Sequence, residues 1–191
     1  MAKITIGFAL CGSFCSFSKA IPQIEKLIQK GHTVIPIMSH NAYSTDTRFG
    51  KAADFNKDIE QITGKKIIHT ITGAEPIGPQ KMFDLLIIAP CTGNTLGKLA
   101  ASITDTSVTM SVKSHLRILR PVLIAISTND GLGASAQNVG KLLNTKNIFF
   151  VPFKQDDCIN KPNSLVSDFN LIEMCIEKAM NREQYQPIIS P

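Results

Sequence analysis

Residues 84–106, DLLIIAPCTGNTLGKLAASITDT, decide the reading of the fold. Leu85, Leu86, Ile87, Ile88 and Ala89 run without polar interruption into Pro90, the pattern of a parallel strand covered on both faces. Small and hydroxylated residues follow, Cys91, Thr92, Gly93, Asn94 and Thr95, and then Leu96, Leu99, Ala100 and Ile103 at helical spacing. Such a loop leaves backbone N–H groups and short side chains free to meet a planar or phosphorylated ligand at the carboxyl end of a strand. The competing reading is an ordinary strand–loop–helix turn with an N-cap.

Working outward, residues 3–10 (KITIGFAL) predict a first buried strand, followed by a loop with Gly12 and Ser13 and a helix ending at Gly31. A hydroxyl near a helix N-terminus suits a phosphate, and it equally suits a plain N-cap; no GxGxxG motif is present. Residues 33–38 predict a second strand with Ser39 at its end, 43–64 a helix with Ala52, Phe55, Ile59 and Ile62 inward, and 66–71 a third strand. Beyond the central strand at 85–89, residues 107–120 predict a helix, in whose later turns His115 and Arg117 complement the dipole. Strands at 121–126 and 148–152 flank a helix at 135–146, and 153–182 is read as a long loop leading to a C-terminal helix capped by Ser167 or Asp168. Alternation of strand and helix predicts one α/β domain over 1–191, Rossmann-like (flavodoxin-like), three layers around a parallel sheet of about six strands.

Composition agrees with a globular interior: 43% hydrophobic and 18% charged residues in a chain of 191, long enough to bury about 70% of its unfolded surface. The five cysteines, Cys11, Cys15, Cys91, Cys158 and Cys175, form no CxxC pair and no zinc spacing, and their odd number argues against a secreted disulfide framework. The first apolar run is broken by Gly7 and Gly12 and reads as a strand rather than a signal peptide, so the expected location is the cytoplasm. The net charge of +5 is scattered without a basic block, which argues against nucleic acid and suits small anions such as a phosphate or a dicarboxylate. No membrane partner is expected. His32 and His40 read as surface or strand-edge residues, since neither has a partner motif.

Pro90, Asn94 and Thr95, with Lys98 and Asp105 after them, resemble the Pro-x-x-x-Asn-Thr segment of the flavin-containing cysteine decarboxylases, the family of phosphopantothenoylcysteine decarboxylase. The resemblance implies FMN as cofactor, a homo-oligomer built on trimers, and a flavin held between protomers. It assigns cofactor binding to Gly12, Ser13, Ser39, Pro90, Thr92, Asn94 and Thr95. Ser13 and Ser39 would meet the phosphate, and Thr92 and Asn94 the ring or ribityl side. The chain also departs from the decarboxylases. Pro76 stands where they carry a His about fourteen residues before the Pro of that segment, and proline has no proton to exchange. Of the decarboxylase clamp after the fifth strand only Asn129 can be aligned; its amide suits a substrate carboxylate, and Asn-Asp-Gly suits a plain turn equally. Lys161, in the charged 153–166 segment, is a second substrate-binding candidate, while Cys158 lacks the glycine-rich surroundings of the family's catalytic cysteine.

Over its whole length the chain is similar to the dipicolinate synthase branch of that family, through residues 9–13, 90–98, 128–133, 151–153 and 161–165. The resemblance implies oxidation of dihydrodipicolinate to pyridine-2,6-dicarboxylate in the mother cell of a spore-forming bacterium, with the A subunit of dipicolinate synthase as partner, supplying an NAD(P) site. It leaves the catalytic residues unassigned. Two other readings stand beside it: an FMN-dependent decarboxylase or transferase acting alone, and a non-catalytic scaffold.

Overall fold

The computed structural model describes residues 2–190. Five parallel strands form its centre in the order β2 (Thr33–Met38), β1 (Thr5–Leu10), β3 (Leu85–Cys91), β4 (Val122–Thr128) and β5 (Ile148–Phe150). β1, β3 and β4 are central and almost wholly buried, which is why their sequences read as continuous apolar runs. This order reverses direction between β1 and β3, the switch point where open α/β sheets bind ligands at their carboxyl ends.

Helices cover both faces. α1 (Phe17–Gln29) buries Phe17, Ala20, Ile24 and Leu27 against one face, joined by Ile59 of α3 (Ala52–Thr63) and by Ile172, Cys175, Ile176 and Ala179 of α8 (Ile172–Met180). Each large apolar side chain contributes about 1.5–3 kcal/mol on burial. The other face takes α4 (Ile71–Ala74), α5 (Gly93–Ala100), α6 (Ser107–Leu116) and α7 (Ala136–Leu143), with Phe83, Leu96, Val108, Val112 and Val139 in its core. Gly7 in β1 permits this packing, because a Cβ there would come within 2.5 Å of the Phe83 ring.

The expected α/β architecture with a mostly parallel sheet is present, and several local expectations are corrected. Residues 66–71 do not form a strand; Ile68 makes one bridge to Ile37, and Thr70 then caps α4 by accepting from the Gly73 N–H. The 43–64 helix is two helices, α2 (His40–Ser44) and α3, separated by a turn in which Thr47 and Gly50 pair. The 153–166 segment is an antiparallel hairpin rather than a loop. Its strands β6 (Phe153–Asp157) and β7 (Lys161–Ser167) join the sheet where Val166 and Leu165 pair with Ser127 and Thr128. Asp157 closes the hairpin, its carboxylate accepting from the N–H groups of Ile159 and Asn160. His115 is not a helix-end cation: it is wholly buried, and burial lowers its pKa to about 4. Among the described residues no helix is long and apolar enough to cross a membrane.

Candidate functional site

The loops after β1, β3 and β4 meet at the switch point. Cys11 N–H donates to the Pro90 carbonyl at 3.1 Å, tying the first loop to the end of β3, and Ser13 N–H turns back to the Cys11 carbonyl at 2.8 Å. The Ser127 hydroxyl at the end of β4 lies 2.8 Å from both the Ser13 and the Ser16 hydroxyls. Thr92 caps α5, accepting from the Thr95 N–H at 3.3 Å, so the first N–H groups of the helix open toward the same space. Between these loops lies a cleft of about 390 Å³.

Gly93 at the start of α5 is required by close packing. A Cβ there would come within 2.5 Å of Thr128 Oγ1 and 2.6 Å of Asp130 Oδ1. The Asp130 carboxylate accepts from the hydroxyls of Thr128 at 2.5 Å and Ser135 at 3.0 Å, and those bonds, the Thr128 bond foremost, lower its pKa. It therefore stays ionised, and among the described residues no lysine or arginine lines the cleft to balance it. Donors to a ligand are neutral: hydroxyls, amides and backbone N–H groups. Beneath them lie two buried thiols. Cys11, hydrogen-bonded by Cys91 and by the Thr95 hydroxyl, has its pKa lowered, while burial pushes that of Cys91 well up.

Of the residues expected at the site, Gly12, Ser13, Thr92, Asn94 and Asn129 line this one cleft. Asn94 and Asn129 are exposed, and among the described residues neither amide makes a hydrogen bond within the protein. Pro90 lies buried in β3 behind the loop, and Thr95 is buried with its hydroxyl on Cys11. Ser39 lies apart from the cleft wall: its hydroxyl caps α2, accepting from the Ala42 N–H at 3.3 Å. Lys161 is likewise outside, beside Asn129, Pro162 and Asn163 in an adjoining depression, and it pairs with Asp156 at 2.9 Å. Cys158 is exposed at the hairpin turn, also away from the cleft. Lys98 and Asp105, two residues of the long motif, pair with each other at 2.8 Å. Pro76 sits in a turn held under α6, where the Gly78 N–H donates to the Ser114 hydroxyl.

Phe14, Cys15, Thr47, Phe49, Gly93, Ser127, Thr128 and Asp130 also line the cleft without having been assigned to binding. Thr47 and Phe49 come from the turn between α2 and α3, and Arg48 lies over the Phe49 ring at 4.9 Å. An aromatic beside a basic residue, off the apolar face of the expected helix, was the available signal; Phe49 is 47% exposed.

Comparison with known proteins shows the family. The Flavoprotein family model matches residues 1–180. The B subunit of dipicolinate synthase from Bacillus subtilis (strain 168) is 48% identical over 184 residues, covering 96% of this chain and 92% of that protein. The crystal structure of the dipicolinate synthase B subunit from Bacillus halodurans superposes with a TM-score of 0.91 at 42% identity, over 100% of this chain and 97% of that one. A PPC decarboxylase complexed with pantothenoylaminoethenethiol shares the fold, with a TM-score of 0.67 at 15% identity over 92% of this chain and 97% of that one. The cleft at the β1/β3 switch point and these similarities have one reading: the chain belongs to the Flavoprotein family, in the branch that contains the B subunit of dipicolinate synthase.

Proposed function

We propose that this chain is the flavin-fold B subunit of a dipicolinate synthase, oxidising dihydrodipicolinate to dipicolinate together with a nicotinamide-binding A subunit in the cytoplasm of a sporulating cell. The observation that carries the reading is 48% identity across 96% of the chain to the Bacillus subtilis protein. Aromatising a dihydro ring removes a hydride and a proton, and no side chain accepts a hydride. The acceptor is a flavin in the cleft or the NAD(P) of the partner.

The residues present fit FMN. The cleft offers neutral donors and acceptors along its wall: Ser13 and Gly12 from the first loop, and the first turn of α5 with Asn94. The phosphate would rest on backbone N–H groups and the Ser13 hydroxyl of the first loop. Bound there, the flavin would supply a two-electron acceptor. The chain's own residues orient: Asn94 toward the ring or ribityl chain, and Asn129, facing both the cleft and the Lys161 depression, toward a substrate carboxylate. The cleft wall formed by Phe49 is partly open, which supports closure by a second copy in a homo-oligomer.

A decarboxylase acting alone is disfavoured by Pro76, which has no exchangeable proton at the position of the family's His. Co-purification with the partner, followed by assay of each chain alone and of both together for pyridine-2,6-dicarboxylate, tests the proposal. Activity only with both chains supports it; decarboxylase activity of this chain alone contradicts it.

A further inference from the structure

Away from the cleft, α1 and the hairpin enclose a groove of about 480 Å³. Lys19, Pro22, Gln23 and Lys26 stand at i, i+3, i+4 and i+7 on α1 and so share one face of the helix. Lys154 of β6 lines the same groove, whose lining includes the half-buried Val166 and the buried Phe169 and Ser167. Gln23, only 6% exposed, joins the two walls by donating to Asn170 Oδ1 at 3.4 Å.

The charge in this groove is unbalanced. No ion pair is formed by Lys19, Lys26 or Lys154 among the described residues, although six other pairs exist. The one acidic lining residue, Asp168, uses its carboxylate to accept from the Asn170 N–H at 3.0 Å. Three lysines less one aspartate leave a formal charge of +2. Like charges gathered around an apolar floor repel one another, and a ligand carrying two negative charges on an apolar body relieves that repulsion. The volume lies within the range of small-molecule sites, about 300–1,000 Å³.

We propose that this groove is a second binding site, for a small planar dicarboxylate, with the carboxylates on Lys19, Lys26 and Lys154 and the ring against Val166 and Phe169. The inference deepens the proposed function, on which its choice of natural ligand rests. Position supports it. β7 carries both features, since Val166 lines the groove and pairs with Ser127 of the cleft, and the segment 14–19 runs from the cleft wall at Phe14 and Cys15 to the groove at Ser18 and Lys19. A dianion held here would stand one strand away from the cleft.

The test uses the full chain and calorimetric titration at low ionic strength, where screening is weak. The probes are pyridine-2,6-dicarboxylate, benzene-1,3-dicarboxylate, benzoate, inorganic phosphate and a hexaglutamate peptide. Both dicarboxylates are expected to bind more tightly than benzoate or phosphate. The exposed double substitution Lys19→Glu with Lys154→Glu should weaken both by at least about tenfold, while Lys146→Glu elsewhere leaves that binding unchanged. Circular dichroism of each variant checks the fold. Equal binding by parent and double variant, phosphate competing as well as the dicarboxylates, or hexaglutamate binding more tightly than either, would overturn the assignment. Benzene-1,3-dicarboxylate keeps the outcomes separable: its binding at the groove stands even if the chain proves inactive with its partner, and pyridine-2,6-dicarboxylate lost only on Asn129→Ala would support the cleft and refute the groove.

Discussion

The hydroxyl oxygens of Ser13 and Ser127 lie 2.8 Å apart although 114 residues separate them in sequence. This contact, with its counterpart from Ser16, locks the loop after β1 to the end of β4 across the intervening β3. A cleft assembled from three strand ends keeps its shape only if such cross-links hold. Ser127→Ala removes both bonds at once and leaves Ser16, which is 4% exposed, with a weaker contact to Ser13 at 3.4 Å. A stability loss of about 0.5–1.5 kcal/mol is expected in urea denaturation. Ligand affinity should fall as well, because the first loop loses its anchor; unchanged stability and unchanged binding would show that the cross-link is idle.

Gly93→Ala tests the packing beneath α5. The added methyl would lie 2.5 Å from Thr128 Oγ1 and 2.9 Å from Ser135 Oγ, the two donors that hold Asp130. Either the helix start shifts or Asp130 loses its donors, and overpacking of this kind costs about 1–3 kcal/mol. A lowered thermal midpoint with retained helix content is the expected result.

His115 predicts a pH dependence. Its Nε2 is 3.0 Å from the Pro121 carbonyl, its Nδ1 has no partner among the described residues, and burial is the foremost cause of a pKa lowered to about 4. The folded state therefore keeps this ring neutral down to about pH 4, whereas the unfolded chain takes up a proton below its usual 6.5. Stability from this group is fully present above pH 6.5 and is lost as the pH falls toward 4, by about 2 kcal/mol at pH 5. Urea midpoints at pH 7 and pH 5 should show that loss in the parent and not in His115→Gln. Parallel curves would assign acid sensitivity to other groups.

The loops after β1 and β3 were legible in the sequence because each follows an unbroken apolar strand and so lies at the carboxyl end of the sheet. Residues 12, 13, 92 and 94 fall there together. The hairpin was hidden because Lys154, Gln155 and Asp156 are all exposed in β6, so no apolar alternation marks it. Its Asp157–Asn160 turn was the one local signal. Residues 66–71 carry strand propensity, but Thr70 is drawn into capping α4 and leaves a single bridge. Thr47, Phe49 and Ser127 reach the cleft only through tertiary folding. Ser39 follows a strand as expected, yet its hydroxyl serves the adjacent Ala42 N–H.

Flavin binding in the cleft is the central claim, and a fluorescence titration of FMN with the parent and with Asn94→Ala tests it most directly. The parent should quench FMN saturably. The variant, having lost an amide that donates and accepts at once, should bind more weakly by about 1–3 kcal/mol, or about five- to 150-fold. Equal affinity of the two proteins would remove Asn94 and its loop from the site. A parent that does not bind FMN at all would contradict the account and leave this chain as a scaffold for its partner.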